Sequence, residues 1–474
     1  MIFKSQFAKV SIVGTLVASS LLNLAQPTFA SGSEQNTASN DEIAAYGNTE
    51  NPKNIIFMVG DGMGPSFNTA FRYFKDNPDT QEMEKTAFDD YLVGTQRTNP
   101  HDSKDNVTDS AAGATAFSSG HKTYNGAIGV DENKKTVETV LERAKKMGKS
   151  TGLVTTSEVT DATPAAYASH IDSRDKKDEI AKQFFENRID DQHTVDVILG
   201  GGAKYFGSAN DNIDKKFKQE GYDVVSNKDE LEQADGDKVL GLFADKNMPL
   251  QIDAPDDDPR LADMQSAALD RLSQNDKGFF LMVEGASIDK AAHANDVTGV
   301  MSEMGGFEKA FDDAIAYAKE HEDTLVVATA DHSTGGLTIA KGKDYIWNAS
   351  AIHNMKHSGQ WMTERIAEGK DIEETIQAGY NKSLPTQTVK AIRKEAKKLS
   401  KIKEDDERYD AQYQKLQDAI QKTINDESNT GWTTYGHTGE DVNTYAFGPQ
   451  SEKFYGNIDN TDNAKNIFDI YNQE

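Results

Sequence analysis

The run Asn54-Ile55-Ile56-Phe57-Met58-Val59, closed by Gly60-Asp61-Gly62-Met63-Gly64, decides how the chain is read. Five consecutive apolar residues without polar alternation, ended by glycines, predict a strand buried on both faces and then a tight turn. Similar apolar runs stand at 151–155, 195–199, 278–283 and 324–330. Helix-like stretches lie between them, at 137–146, 178–187, 261–272 and 306–319. Strands alternating with helices predict an α/β fold with three layers, α/β/α, around a central, mostly parallel sheet. In such sheets ligands sit beyond the carboxyl ends of the strands. That rule brings Asp61, the 155–163 segment, Glu284 and the pair Asp331-His332 toward one edge. Four strand ends delivering carboxylates and imidazole together are hard to explain as solvated loop ends.

Val107-Thr108-Asp109-Ser110-Ala111-Ala112-Gly113-Ala114-Thr115-Ala116 is the stretch that edge would serve. Its alanines favour helix, and Thr108 or Asp109 is a good N-cap. Ser110 then falls in the first turn, where free N–H groups stabilise negative charge. A hydroxyl there is placed to lose its proton and to meet an anion. Read alone, the stretch is more simply an Ala/Ser-rich packing helix, and it is the rest of the chain that favours the chemical reading.

Three further stretches carry chemistry. In Glu284-Gly285-Ala286-Ser287-Ile288-Asp289-Lys290-Ala291-Ala292-His293, a helix starting at Asp289 puts His293 one turn away on the same face. A carboxylate and an imidazole so placed can share an ion, and the mixture suits zinc. Asp331-His332 offers a second such pair, ahead of the turn Ser333-Thr334-Gly335-Gly336. Thr160-Asp161-Ala162-Thr163-Pro164 reads as the entry to a helix ending near Arg174, with Thr163 as N-cap and Pro164 at its first position. Arg174 can hold two phosphate oxygens in its fork.

Charge and compartment narrow the partners. The 474 residues carry 78 Asp+Glu against 51 Lys+Arg, a net charge of −27, which argues against nucleic acid or an anionic membrane as partner. A phosphate substrate therefore needs a locally positive site, which metal ions could supply. Such acidity also suits a salty medium, though ordinary exported proteins share it. Residues 1–30 read as a signal peptide: Lys4 and Lys9, an apolar Val10–Leu24 segment, and a small-x-small end at Thr28-Phe29-Ala30. Residues 31–53 read as a mobile polar arm, and 54–474 as the catalytic domain. The chain has no cysteine, which excludes disulfides and a thiolate nucleophile. An exported product, periplasmic or extracellular and free of the membrane after cleavage, is expected.

Residues 340–430 break the alternation. Val389, Ile392, Ala396 and Leu399 share one helix face, as do Tyr409, Tyr413, Leu416, Ile420 and Ile424, with charged Lys403–Arg408 between them. This reads as a helical insertion, with a lid or dimer contact as the functional alternative. His353 and His357 within it read as surface histidines, and His170 as support for the helix leading to Arg174.

Taken in order, Val107–Gly120, Asp161–Arg174, Glu284–His293, Asp331-His332 and His437-Thr438-Gly439 resemble the alkaline phosphatase family, bacterial members above all. The resemblance runs from Asn54 to about Pro449, apart from the insertion. It implies a phosphomonoesterase of broad substrate range with two Zn²⁺ and one Mg²⁺ per chain, acting through phosphoserine, and a homodimer. By resemblance Ser110 is the nucleophile. Asp289, His293 and His437 hold the first zinc, and Asp61, Asp331 and His332 the second. Asp61, Thr163 and Glu284 hold magnesium. Arg174 clamps the phosphoryl oxygens, steered by Asp109; Asp161 acts through water on magnesium and Lys290 through water on phosphate. Phosphoryl transfer needs mainly positioning and positive charge, so this agrees with the residues read alone. A phosphodiesterase or sulfatase-like hydrolase is the enzyme alternative, and an exported zinc- or phosphate-binding protein the non-catalytic one.

Overall fold

The computed structural model describes residues 51–473. The signal peptide read at 1–30 and most of the arm read at 31–53 lie outside them. Among the described residues no helix is long and apolar enough to cross a membrane.

Ten strands form one sheet: β1 (Asn54–Gly60), β2 (Leu92–Arg97), β3 (Ser150–Glu158), β4 (Val197–Gly201), β5 (Asp223–Val225), β6 (Val239–Leu242), β7 (Phe279–Gly285), β8 (Thr324–Thr329), β9 (Val442–Phe447) and β10 (Gly456–Asp459). Their order is β10-β2-β9-β8-β1-β7-β3-β4-β6-β5. All neighbours are parallel except β9, which runs antiparallel to both β8 and β2. The opening run is the centre of this sheet, with Ile55 registered against Leu325 on one side and Phe280 on the other.

Side chains along a strand alternate between faces, and β1 divides accordingly. Ile56 and Met58 enter one core, with the helices Pro65–Lys75, Leu261–Leu272 and Val297–Glu320. Ile55, Phe57 and Val59 enter the other, with the helices Ser110–Ser119, Val140–Lys146, Ala162–Ala168 and Asn460–Tyr471. Both faces are therefore covered, which is why β1 has no polar alternation. Five helices between Ala349 and Glu427 pack onto the first of these cores through residues such as Met362, Ile376, Ile392, Leu416 and Ile420.

Some boundaries differ from the sequence reading. The 306–319 stretch belongs to a longer helix, Val297–Glu320, which runs through Gly305-Gly306. A side chain at Gly306 would meet the Gln251 amide, so close packing explains the glycine. The helix entered at Ala162 stops at Ala168, well short of Arg174. Its N-cap is Asp161, whose carboxylate accepts from the Ala162 N–H, and not Thr163; Pro164 is its third residue. At Ser169 the chain turns extended, so that Ile171 pairs with Ile128 as an antiparallel bridge. Tertiary pairing ends this helix, which local sequence does not reveal. His170 then serves the neighbouring loop and helix: its ring nitrogens meet the Gly129 carbonyl at 2.7 Å and Glu142 at 2.8 Å.

Candidate active site

The carboxyl ends of β1, β7 and β8 deliver Asp61, Glu284 and Asp331-His332 to one place. Asp61 follows β1 directly, and the turn closes at Gly62, whose φ is +70°. A Cβ there would lie 2.8 Å from Thr334 Oγ1 and 3.0 Å from Asp289 Cα, so glycine is needed for conformation and for space. The Gly62 N–H donates to Asp331 Oδ1 at 3.0 Å, tying the ends of β1 and β8 together.

Ser110 is the first residue of its helix, capped by Asp109, whose Oδ1 accepts from the Ala112 N–H at 2.9 Å. The helix is buried along its whole length, packed mainly on the helices Ala162–Ala168 and Asn460–Tyr471, and its small side chains let it approach the residue after β8; a Cβ on Gly113 would meet Asp331 Cβ at 3.1 Å. Ser110 Oγ lies 3.2 Å from His332 Nε2.

That imidazole belongs to one of two neighbouring sets of ligand-type atoms. Asp61, Asp331 and His332 offer oxygens and a nitrogen within 4.8 Å of one another, and Asp289, His293 and His437 do the same. In the second set His293 Nε2 is 3.3 Å from Asp289 Oδ2 and 3.1 Å from His437 Nε2. The His332 and His437 rings stack at 3.5 Å, joining the two sets.

Hydrogen bonds behind the rings decide which nitrogen faces inward. His437 Nδ1 meets the Thr108 carbonyl at 2.8 Å, and His293 Nδ1 meets that of Tyr435. A carbonyl only accepts, so both Nδ1 atoms carry hydrogens and both Nε2 atoms of neutral rings present lone pairs. Thr334 donates its one hydrogen to Asp289 Oδ1 at 2.5 Å, so His332 Nδ1, 3.2 Å away, donates to Thr334. Its Nε2 then points at Ser110. Sequence reading missed Thr334, because its partners are distant in the chain.

A third group lies beside the first. Glu284 Oε2 accepts from Thr155 Oγ1 at 2.6 Å, and the Thr163 hydroxyl is buried next to the same carboxyl. Burial pushes Glu284 up to about 7. Burial also holds Asp61 well above the usual carboxylate range, reinforced by Asp331, Asp289 and Glu284. Burial opposes ionisation of Asp289 too, but His293 and the other imidazoles outweigh it and hold that carboxyl below its usual range. Burial, then His332, pushes His437 down to about 4. The pocket thus gathers more negative charge than its own cations neutralise.

Asp161 organises the other wall. Its Oδ1 is 3.2 Å from Arg174 Nη2 and 3.6 Å from Lys177, and its Oδ2 is 3.1 Å from Lys290 and accepts from Ser157 at 2.7 Å. Arg174 Nη1 reaches Asp109 Oδ2 at 3.1 Å. Burial opposes the charge on Arg174 and Lys290, but Asp161 and neighbouring carboxylates outweigh it and raise both. Two cations are thus held on Asp161, and one of them, Arg174, also reaches Asp109, the residue that caps the Ser110 helix. Lys177 had no sequence signal beyond a run of charges. His353 and His357 stay apart from this cluster: His353 meets the Phe74 carbonyl at 2.8 Å, and His357 meets Asp253 at 3.0 Å and stacks on Trp361.

Comparison with known proteins identifies the family. A model of the alkaline phosphatase family matches residues 52–472. Alkaline phosphatase 3 of Bacillus subtilis is 45% identical over 466 residues, covering 98% of this chain and 97% of its own. The crystal structure of a cold-active alkaline phosphatase from a psychrophilic Shewanella superposes with a TM-score of 0.79 at 39% identity, covering 88% of this chain and 99% of that one. The enzyme of the Antarctic bacterium TAB5, seen with Mg bound in its M3 site in a mutant form, gives 0.64 at 27%, covering 90% and 99%. The chain belongs to the alkaline phosphatase family of metal-dependent enzymes and is a phosphomonoesterase.

Proposed function

We propose that this phosphomonoesterase is exported and works through a phosphoserine formed on Ser110, with two Zn²⁺ and one Mg²⁺ per chain. The observation that carries the reading is Ser110 Oγ at a capped helix start, 3.2 Å from Nε2 of His332, a member of one ligand set whose ring stacks on His437 of the other. Asp289, His293 and His437 would hold one zinc, and Asp61, Asp331 and His332 the other. Asp61, Thr163 and Glu284 would hold magnesium.

The residues fit such ions. Asp61 Oδ1 is buried and accepts no hydrogen bond, and Asp331 Oδ2 has beside it only His332 Nε2, at 3.1 Å, which carries no hydrogen in the tautomer set by Thr334; both are costly unless a cation meets them. Two Nε2 lone pairs 3.1 Å apart repel unless something positive lies between them. Mixed carboxylate and imidazole donors suit zinc, and an all-oxygen group suits magnesium. When bound, these ions would supply positive charge that stabilises the attacking and leaving oxygens.

The chain's own residues do the rest. Arg174, held at both ends of its fork by Asp109 and Asp161, keeps further N–H donors to grip two phosphoryl oxygens. Lys290, anchored on Asp161, adds charge beside them. Ser110 forms its Oγ–P bond as the ester O–P bond breaks, and water later displaces the serine, giving two in-line steps. A substrate held by its phosphoryl group needs little recognition of its alcohol, which favours a broad range. Export rests on the signal-like residues 1–30, and a homodimer on family resemblance alone.

Substitution of Ser110 by alanine should abolish covalently retained phosphate from a radiolabelled monoester while zinc content stays at the wild-type level. An undiminished covalent signal would rule out this nucleophile.

A further inference from the structure

The helical insertion meets the site's edge through the segment 432–438. The helix Tyr409–Glu427 carries Asp418 on the side facing the segment 432–438. Tyr435 of that segment donates its hydroxyl to Asp418, 2.9 Å from each carboxylate oxygen. The backbone carbonyl of the same residue accepts from His293 Nδ1. Two residues on, His437 supplies the nitrogen 3.1 Å from His293 Nε2.

We propose that Asp418, acting through Tyr435, is a positioning residue for the imidazole pair His293 and His437, and that this is one task of the insertion. The inference rests on the reading of Asp289, His293 and His437 as a zinc-binding set. The physical case concerns what fixes the outer side of the 432–438 segment. Its inner side is tied to Gly335 by the Thr433 and Thr434 N–H groups and the Gly436 carbonyl, and the two-residue strand His437–Thr438 pairs with Ser333–Thr334. Tyr435 is 45% exposed, so packing does not hold its side chain. What holds it is the hydroxyl bridge to Asp418. A second tie runs from Trp432 Nε1 to Asn425 Oδ1 at 3.2 Å, about two turns further along the same face of the helix. With both ties made, the carbonyl points at His293 Nδ1, fixing the tautomer whose Nε2 faces inward. Partners behind a ligating imidazole set both its orientation and its basicity, and their loss lowers metal affinity roughly 10–100-fold. Removing the tyrosine hydroxyl leaves the carbonyl and the backbone bonds to Gly335 in place but loosens the outer side of the segment, so the effect on His293 travels through position, not through a missing bond.

The test uses the zinc-loaded full-length enzyme and a chromogenic zinc chelator. Tyr435→Phe and Asp418→Asn should each release one zinc per chain about 10-fold faster than wild type, while the second zinc leaves at its usual rate. Gln414→Ala, which removes another donor to Asp418 at 3.2 Å without touching Tyr435, should release zinc as wild type does. Thermal unfolding of the zinc-saturated variants should match wild type, and excess zinc should restore activity to both. Wild-type release rates in Tyr435→Phe and Asp418→Asn would overturn the inference. So would equal acceleration of both zincs together with a lowered Tm, which marks a general loosening. A wild-type enzyme that holds no zinc would instead overturn the underlying reading of the ligand set.

Discussion

Replacing Glu303 by glutamine should stabilise the enzyme at alkaline pH and leave it unchanged in acid. Glu303 lies on the helix Val297–Glu320, only 5% exposed, and its carboxylate accepts from the Gln251 N–H at 2.5 Å. Burial pushes it from 4.5 up to about 7, the Gln251 bond opposes this, Asp253 adds to it and Arg260 counters. The sign follows from which state holds the proton. Below 4.5 the folded and unfolded chains are both protonated and the residue costs nothing. Between 4.5 and about 7 the unfolded chain gives up its proton while the folded one keeps it, so stability falls as pH rises. Above about 7 both are ionised and the loss is complete. At about 1.36 kcal/mol per pH unit the total is on the order of 3 kcal/mol. Glutamine keeps the acceptor for Gln251 and carries no charge. With the unfolding entropy usual for a chain of this size, the difference corresponds to a Tm about 3 °C higher for Glu303→Gln near pH 9 and under about 1 °C near pH 5. Differential scanning calorimetry of both proteins in zinc-saturated buffer at the two pH values measures it. A Tm difference that is the same at both would refute the argument, because a purely steric effect of the substitution does not titrate.

Arg174→Ala should raise the inhibition constant of inorganic phosphate about 10²-fold, the loss of one to two charge-assisted hydrogen bonds, while zinc content stays the same; equal loss of both would point to a structural role. Asp196→Ala should lower stability by about 3–5 kcal/mol, because it strands the buried Lys145 that now sits 2.7 and 2.8 Å from the two Asp196 oxygens. This pair lies at the amino end of the sheet, away from the site, so turnover per folded molecule should stay at the wild-type level; an unchanged Tm would defeat the prediction.

Much of the architecture was legible because burial on both faces leaves a mark in composition. The runs at β1, β7 and β8 are apolar without alternation, and runs that short suit a strand covered on both sides better than a helix. The rule that ligands collect at carboxyl ends then pointed to Asp61, Glu284 and Asp331-His332 without any coordinates, and all four lie together. Asp289 and His293 were legible for a local reason, since one helical turn joins them. The helix carrying Ser110 was legible from its small residues, which also let it approach Asp331.

Other features depended on contacts between residues far apart in the chain. The helix from Ala162 ends at Ala168 because Ile171 pairs with Ile128, 43 residues away, and that pairing places Arg174 in a turn. Thr334, Thr155, Lys177 and Tyr435 join the site through partners more than a dozen residues distant, and none stands in a pattern of its own. Periodicity and spacing record which face of an element is buried and which neighbours share a turn. They carry no record of which carbonyl meets which imidazole, because that choice is made only when separate elements pack. The sequence alone therefore determined the layered α/β fold and the edge where chemistry gathers; the tertiary structure decided which nitrogen of each histidine faces inward and what holds it there.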